Sequence, residues 1–285
     1  EVSPKRQHLK FWLLFGAITM VIFIIAGPQF GSKLETVKRQ GVEIMVCLDV
    51  SNSMLAEDVS PNRLDKAKQM LSRLTDGFTN DKVGLIVFAG DAFTQLPITS
   101  DYISAKMFLS SINPSMVSTQ GTAIGAAINL AARSFTPDET TDKAIILITD
   151  GENHEDDAIG AAKAAAVPYL LVVGGAGSLY VAPDLQLIDT PEFPQEIFAG
   201  ANAARNLLAD LRDRRDVNWA FISPPAMFYE GSPFEPKGEY RFGQDDVLMS
   251  GDAPAGIHVD DLAKAIADDA EQKAHLFQRF TVAEV

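Results

Sequence analysis

Between residues 42 and 166, apolar runs alternate with stretches of helical periodicity, and this pattern limits the chain to an α/β sandwich around a largely parallel sheet. The runs cover residues 42–50, 82–89, 93–98 and 144–149. A strand in a parallel sheet is buried on both faces, so it reads as continuously apolar rather than alternating. Between the first two runs, Leu64, Ala67, Leu71, Leu74 and Phe78 recur at three- and four-residue spacing. That spacing predicts an amphipathic helix, capped by Ser60 with Pro61 at its first position. Further helices are expected at 101–112, 123–134 and 155–166. Residues 93–98 follow the tight turn Ala89-Gly90-Asp91, so they read as the return arm of a hairpin and an antiparallel edge strand.

Beyond residue 166 the texture changes. Residues 169–173 form one more buried run, and Gly174-Gly175-Ala176-Gly177 then opens a long loop reaching Pro194. A helix at 196–214, a strand at 217–222, a break at Pro224-Pro225, a hairpin-like stretch at 240–249, an acidic helix at 260–272 and a strand at 280–282 are expected after it. With 285 residues, 47% of them apolar, the chain can bury one large core or two modest ones. Its formal charge of −14 argues against a nucleic-acid partner, whose phosphates are neutralised mainly by Lys and Arg. The single cysteine, Cys47, lies inside the first run and reads as a small core residue, unable to form an internal disulfide or a thiolate cluster.

Residues 11–27 are uncharged and apolar, with Lys5, Arg6 and Lys10 on one side and Pro28 on the other. At 1.5 Å per residue they would reach about 25 Å, the short end of a bilayer span. We expect residues 1–30 to be a single-span membrane anchor; a signal peptide and a buried core helix are the rival readings. Lys33, Lys38 and Arg39 balance the basic residues before the run, so charge does not orient it.

In an open α/β sheet, ligands gather at the carboxyl ends of the strands. Two motifs fall at such ends. Asp49-Val50-Ser51-Asn52-Ser53 follows the first strand and Thr149-Asp150-Gly151 the fourth, while Gln120-Gly121-Thr122 lies in a loop that opens a helix. Asp49, Ser51, Ser53, Thr122 and Asp150 offer only oxygen, which suits Mg²⁺, Mn²⁺ or Ca²⁺; zinc would call for His or Cys, and only His154 is near in sequence. Mg²⁺ held by few protein oxygens keeps a position open, which the acidic side chain of a protein partner could fill.

This set resembles the metal-ion-dependent adhesion site, or MIDAS, of von Willebrand factor A domains. More closely, GPQFGSKLETVKRQGVEIMVCLDVSNSMLAEDVSPNRLDKAK, GLIVFAGDAFTQLPITSDY, TQGTAIGAA and ITDGENHEDDA resemble the Bacteroides aerotolerance (BatA/BatB) family. The resemblance covers residue 1 to about 166. It implies that Ser51, Ser53 and Thr122 are metal ligands, with Asp49 and Asp150 binding directly or through water. It also implies an anchor in the bacterial inner membrane, an A domain over 31–166 facing the periplasm, and association with related Bat proteins and a MoxR-type AAA+ ATPase.

From about 168 to 285 the chain resembles instead the second half of an atypical short-chain dehydrogenase, the NADH-flavin reductase-like group. The likeness rests on YLLVVGGAGSLYVAPDLQLIDTPEFP, VNWAFISPPAMF, YRFGQDDVL, IHVDDLA and QRFTV. That half lacks the strand–turn–helix on which NAD(P) would sit. Gly175-Ala176-Gly177-Ser178-Leu179-Tyr180 puts Tyr where a third glycine belongs, and Tyr102 and Lys106 match the dehydrogenase Tyr-x-x-x-Lys spacing inside the wrong half. We therefore assign no catalytic and no cofactor-binding residues, although Ser178, Tyr180 and Ser223 could line a pocket. The expected fold is a three-layer, Rossmann-like, mostly parallel sheet of the A-domain type after an N-terminal transmembrane helix. A Rossmann half over 167–285 could complete that sheet. A metal-dependent binding module, an NAD(P)H-dependent reductase and a non-functional fusion or chimera are the functions this sequence admits.

Overall fold

The computed structural model describes residues 4–26, 41–57, 59, 61–150, 157–228 and 233–285. The expectations placed on Ser60, Gly151, His154 and residues 27–40 lie outside these. Two units are present, Glu1–Arg39 and Gln40–Val285. The first holds helix α1 (Pro4–Ala26), on which Phe11, Trp12 and Phe15 pack ring against ring and stay exposed. The expected membrane span is not supported: among the described residues no helix is long and apolar enough to cross a membrane. Lys5, Arg6 and Lys10 fall inside α1, and the uncharged remainder, residues 11–26, would reach only about 24 Å against a hydrocarbon core of about 30 Å.

In the second unit the apolar runs become β1 (Glu43–Asp49), β2 (Lys82–Phe88), β3 (Ala92–Thr99), β4 (Lys143–Ile148) and β5 (Leu170–Val173), interleaved with α2 (Arg63–Gly77), α3 (Tyr102–Ser111), α4 (Ile124–Ser134) and α5 (Ala158–Ala164). After β5 come two short strands, β6 (Tyr180–Ala182) and β7 (Leu185–Gln186), then α6 (Phe198–Arg212) and β8 (Trp219–Ser223). The chain ends with β9 (Arg241–Gly243), β10 (Met249–Ser250), β11 (Ala253–Pro254), α7 (Val259–Gln272) and β12 (Gln278–Ala283). Eight strands form one sheet in the order β3-β2-β1-β4-β5-β8-β12-β9. Only the edge strands β3 and β9 are antiparallel to their neighbours, and β3 returns from β2 as the hairpin turn predicts.

The sheet runs straight through the change in texture near residue 166. Strand β4 pairs in parallel with β5 from Ile145↔Leu170 to Ile148↔Val173, and β5 pairs with β8 from Leu170↔Trp219 to Val173↔Ile222. Side chains alternate between two cores. Ile44, Val46 and Leu48 of β1 face α2, α3 and α7, whereas Met45 and Cys47 face α4, α5 and α6. Burial pushes the Cys47 thiol up, as suits a core residue. Helix α7 closes the first core against α2, with Leu262 and Ile266 buried, Arg73 Nε 3.1 Å from Asp260 Oδ1, and Lys273 Nζ 2.8 Å from Asp142 Oδ1.

Two local expectations need correction. Helix α2 starts at Arg63 with Asn62 as its cap, two residues later than a first position at Pro61 would put it. Asn62 Oδ1 accepts the Asp65 N–H at 2.8 Å, and Asn62 Nδ2 donates to Asp65 Oδ2 at 2.8 Å, a reciprocal lock that sets the first turn. The stretch 240–249 is not a hairpin. Arg241–Gly243 pairs with β12, and Met249–Ser250 pairs with Ala253–Pro254, so each segment has a different partner.

Candidate metal site

Strand β1 ends at Asp49, and its carboxylate, wholly buried, is pinned from two sides. The Ser51 N–H donates to Asp49 Oδ1 at 2.9 Å, and the Thr149 hydroxyl donates to Asp49 Oδ2 at 2.8 Å. A 3₁₀ turn, Asn52–Leu55, then folds the loop back so that Ser51 Oγ and Ser53 Oγ stand 2.9 Å apart. The Arg63 N–H donates to Ala56 O at 3.1 Å and hooks this loop to the first turn of α2.

Asp150 arrives from β4, whose C-terminal end lies beside that of β1 because the two strands pair in parallel. Thr122 is brought to the same edge by the backbone. The Ala123 N–H donates to Ala89 O at 2.7 Å and the Gly90 N–H to Thr119 O at 2.9 Å, next to Phe88, the register partner of Asp49. Gly90 is needed for that approach, since a Cβ there would stand 2.6 Å from Gln120 O. The structure thus gathers Asp49, Ser51, Ser53, Thr122 and Asp150 at the carboxyl edge of β1, β2 and β4. Ser51 and Thr122 are buried and Ser53 is half-buried.

The electrostatics of this edge suit a cation. Burial pushes the Asp49 carboxyl up to about 6, the nearby Asp150 charge adds to the rise, and hydrogen bonds from Ser51 and Thr149 only partly offset it. A divalent ion would relieve the like charge beside the buried Asp49 carboxylate. The five side chains offer only carboxylate and hydroxyl oxygen, a donor set that suits a hard cation; among the described residues no group of three or more His, Cys, Asp and Glu stands together.

Thr149 and Arg63 also contact the candidate donors, and neither was among the five expected ones. Thr149 was visible as the strand-terminal residue before Asp150. Arg63, whose Nη1 lies 3.1 Å from Asp150 Oδ2, carries no local signal, because only the parallel topology brings the start of α2 to the end of β4. The remaining candidates serve other ends. The Tyr102 hydroxyl donates to Asp81 O at 2.5 Å and Lys106 pairs with Asp76. Ser178 Oγ accepts from Arg279 Nη1 at 3.3 Å, Tyr180 begins β6, and Ser223 is wholly buried. Gly175 caps a single 3₁₀ turn, Ala176–Ser178, where a phosphate loop would open a helix.

Residues 44–152 match the family model of the von Willebrand factor type A domain. The chain is 51% identical to the crystal structure of BatB from Bacteroides thetaiotaomicron, covering 60% of this chain and 96% of that one with a TM-score of 0.47. It is 54% identical to an aerotolerance-related membrane protein from Bacteroides fragilis, covering 57% of this chain and 89% of that one with a TM-score of 0.45. It is also 40% identical over 115 residues to the protein YwnB of Bacillus subtilis, which is 40% of this chain and 53% of that protein. The chain spans about half the length of the curated relatives it matches. A structure from B. thetaiotaomicron described as an epimerase, 22% identical with a TM-score of 0.56, covers 86% of this chain and 98% of its own, and shares the fold alone. The α/β architecture and the family match agree: residues 44–152 carry a von Willebrand factor type A domain.

Proposed function

We propose that the chain is a divalent-metal-dependent binding module of the aerotolerance type, which captures a protein partner through an acidic side chain. The A domain and its BatB-like relatives support a protein-interaction module. The observation that carries the metal dependence is the convergence of Asp49 and Asp150 with the Ser51, Ser53 and Thr122 hydroxyls on one strand edge, with Asp49 buried. Those five residues would hold Mg²⁺, or Mn²⁺ or Ca²⁺ in its place. When bound, the ion supplies a Lewis-acidic position for the partner's carboxylate. The chain's own work is orientation: Thr149 and the Ser51 N–H fix the Asp49 carboxylate, and the 3₁₀ turn presents the two serines together.

We read residues 31–166 as the A domain and 167–285 as a Rossmann-type half that stands where that domain's last strands belong. Related Bat proteins and a MoxR-type ATPase are the partner class that the BatA/BatB resemblance implies. An inner-membrane location with the A domain in the periplasm is what the BatA/BatB resemblance implies, and since α1 alone is too short to span the bilayer, residues 1–30 would need further contacts to hold the chain there. Magnesium should raise the melting temperature of the wild-type chain, and Asp49→Ala and Ser51→Ala should each remove that rise. A wild-type chain whose melting is indifferent to magnesium, alone or with a carboxylate-bearing partner, refutes the reading.

A further inference from the structure

A cation already stands among the oxygen donors. Arg63 Nη1 lies 3.1 Å from Asp150 Oδ2, and the two side chains are 16% and 4% exposed. The same guanidinium lies against the C-terminal half of the chain. A Cβ added at Gly200, in the first turn of α6, would stand 2.8 Å from Arg63 Nη1 and 3.4 Å from Nη2. Arg63 is therefore held between a donor of the metal site and a helix that contributes no donor.

We propose that Arg63 is an internal competitor for the metal: it neutralises Asp150 while the site is empty and yields that carboxylate when the site is loaded. In addition, Gly200 sets the position of the guanidinium, so α6 tunes the affinity of a site it does not touch. This rests on the metal-site reading above. The physical reason is charge balance. Asp49 and Asp150 carry like charges at the carboxyl ends of the paired strands β1 and β4, and the Arg63 guanidinium 3.1 Å from Asp150 relieves their repulsion in the absence of metal. A divalent ion relieves it better, but the ion and the guanidinium repel, so Arg63 lowers the affinity it would otherwise leave high. Arg63 is a positioning residue for Asp150, and the atoms facing Gly200 are the far end of a flexible side chain, which can move without disturbing the fold.

The test is a calorimetric magnesium titration of the full chain as wild type, R63Q, R63K and G200A, paired with thermal melts in EDTA and in saturating magnesium. R63Q should bind magnesium about tenfold more tightly than wild type. It should melt lower in EDTA, with the deficit shrinking at saturating metal, whereas a merely structural role would give equal deficits in both. R63K, which keeps the charge but loses the fork, should fall between the two. G200A should shift toward R63Q, because the added methyl pushes the guanidinium off Asp150. If R63Q folds and its magnesium affinity is unchanged or weaker, the inference is overturned while the metal site stands. If R63Q does not fold, G200A decides, and unchanged affinity there is equally fatal. If the wild type binds no magnesium, the metal site itself is wrong and the inference falls with it.

Discussion

Two carboxylates on one strand show how this chain separates a structural charge from the one proposed to bind metal. Glu43 opens β1 and Asp49 ends it, and both are fully buried. At Glu43 burial opposes ionisation, but the Thr136 hydroxyl at 2.7 Å, the Thr136 N–H at 3.0 Å and Lys82 Nζ at 3.1 Å outweigh it and hold the carboxyl below its ordinary value. Asp49 has two donors and a carboxylate neighbour, and its value rises instead. Because the folded value of Glu43 is lowered, its contribution to stability is present above the unfolded value of 4.5 and is lost as pH falls through the folded one. Glu43→Gln should therefore flatten the acid limb of a melting-temperature profile recorded from neutral pH downward, and an unchanged limb would show that Glu43 is not its source. Thr136→Val, which removes one of the donors, should cost about 1–2 kcal/mol in urea unfolding at neutral pH. Metal removal should mimic neither variant, since Glu43 lies at the opposite end of β1 from the proposed metal donors.

At the scale of elements, α7 is tied to the sheet by a buried polar contact. The Tyr169 hydroxyl donates to Asp269 Oδ2 at 2.6 Å, and His275 Nδ1 lies 2.8 Å from Asp269 Oδ1. Tyr169→Phe leaves a buried carboxylate oxygen short of a donor, and should cost about 1–3 kcal/mol in denaturant unfolding with little change in magnesium affinity. Much of the element plan was legible beforehand, because a strand buried on both faces and a helix with one apolar stripe each leave a periodic trace. Residues 43–49, 82–88, 143–148 and 170–173 were readable for that reason. What escaped is what depends on partners distant in sequence. Arg241–Gly243 gains strand status only by pairing with β12, and the cap of α2 was decided by a two-bond exchange between Asn62 and Asp65 rather than by proline placement. The acids and hydroxyls proposed as metal donors were legible because they carry a spacing signature at strand ends; Arg63 was not, because only helix placement brings it to Asp150.

For the whole molecule, the decisive fact is that one sheet crosses two sequence textures. Residues 40–285 form a single unit, so the candidate metal edge and the C-terminal core should unfold together. The chain has two tryptophans, one of them Trp219, buried on β8. In a Trp12→Phe background the fluorescence of Trp219 should report the same unfolding midpoint as far-ultraviolet circular dichroism. Magnesium should raise that midpoint although Trp219 lies outside the matched A domain. Two separated transitions, with only the earlier or later one responding to magnesium, would contradict a shared core. The pairing of β4 with β5 also bears on what this part of the sheet can accept. Ladder hydrogen bonds join backbone to backbone and do not register side-chain identity. Any segment that offers a short aliphatic strand and a helix to cover it therefore meets the demands of this position, which makes the β4–β5 boundary a place to graft a foreign C-terminal segment onto the first four strands.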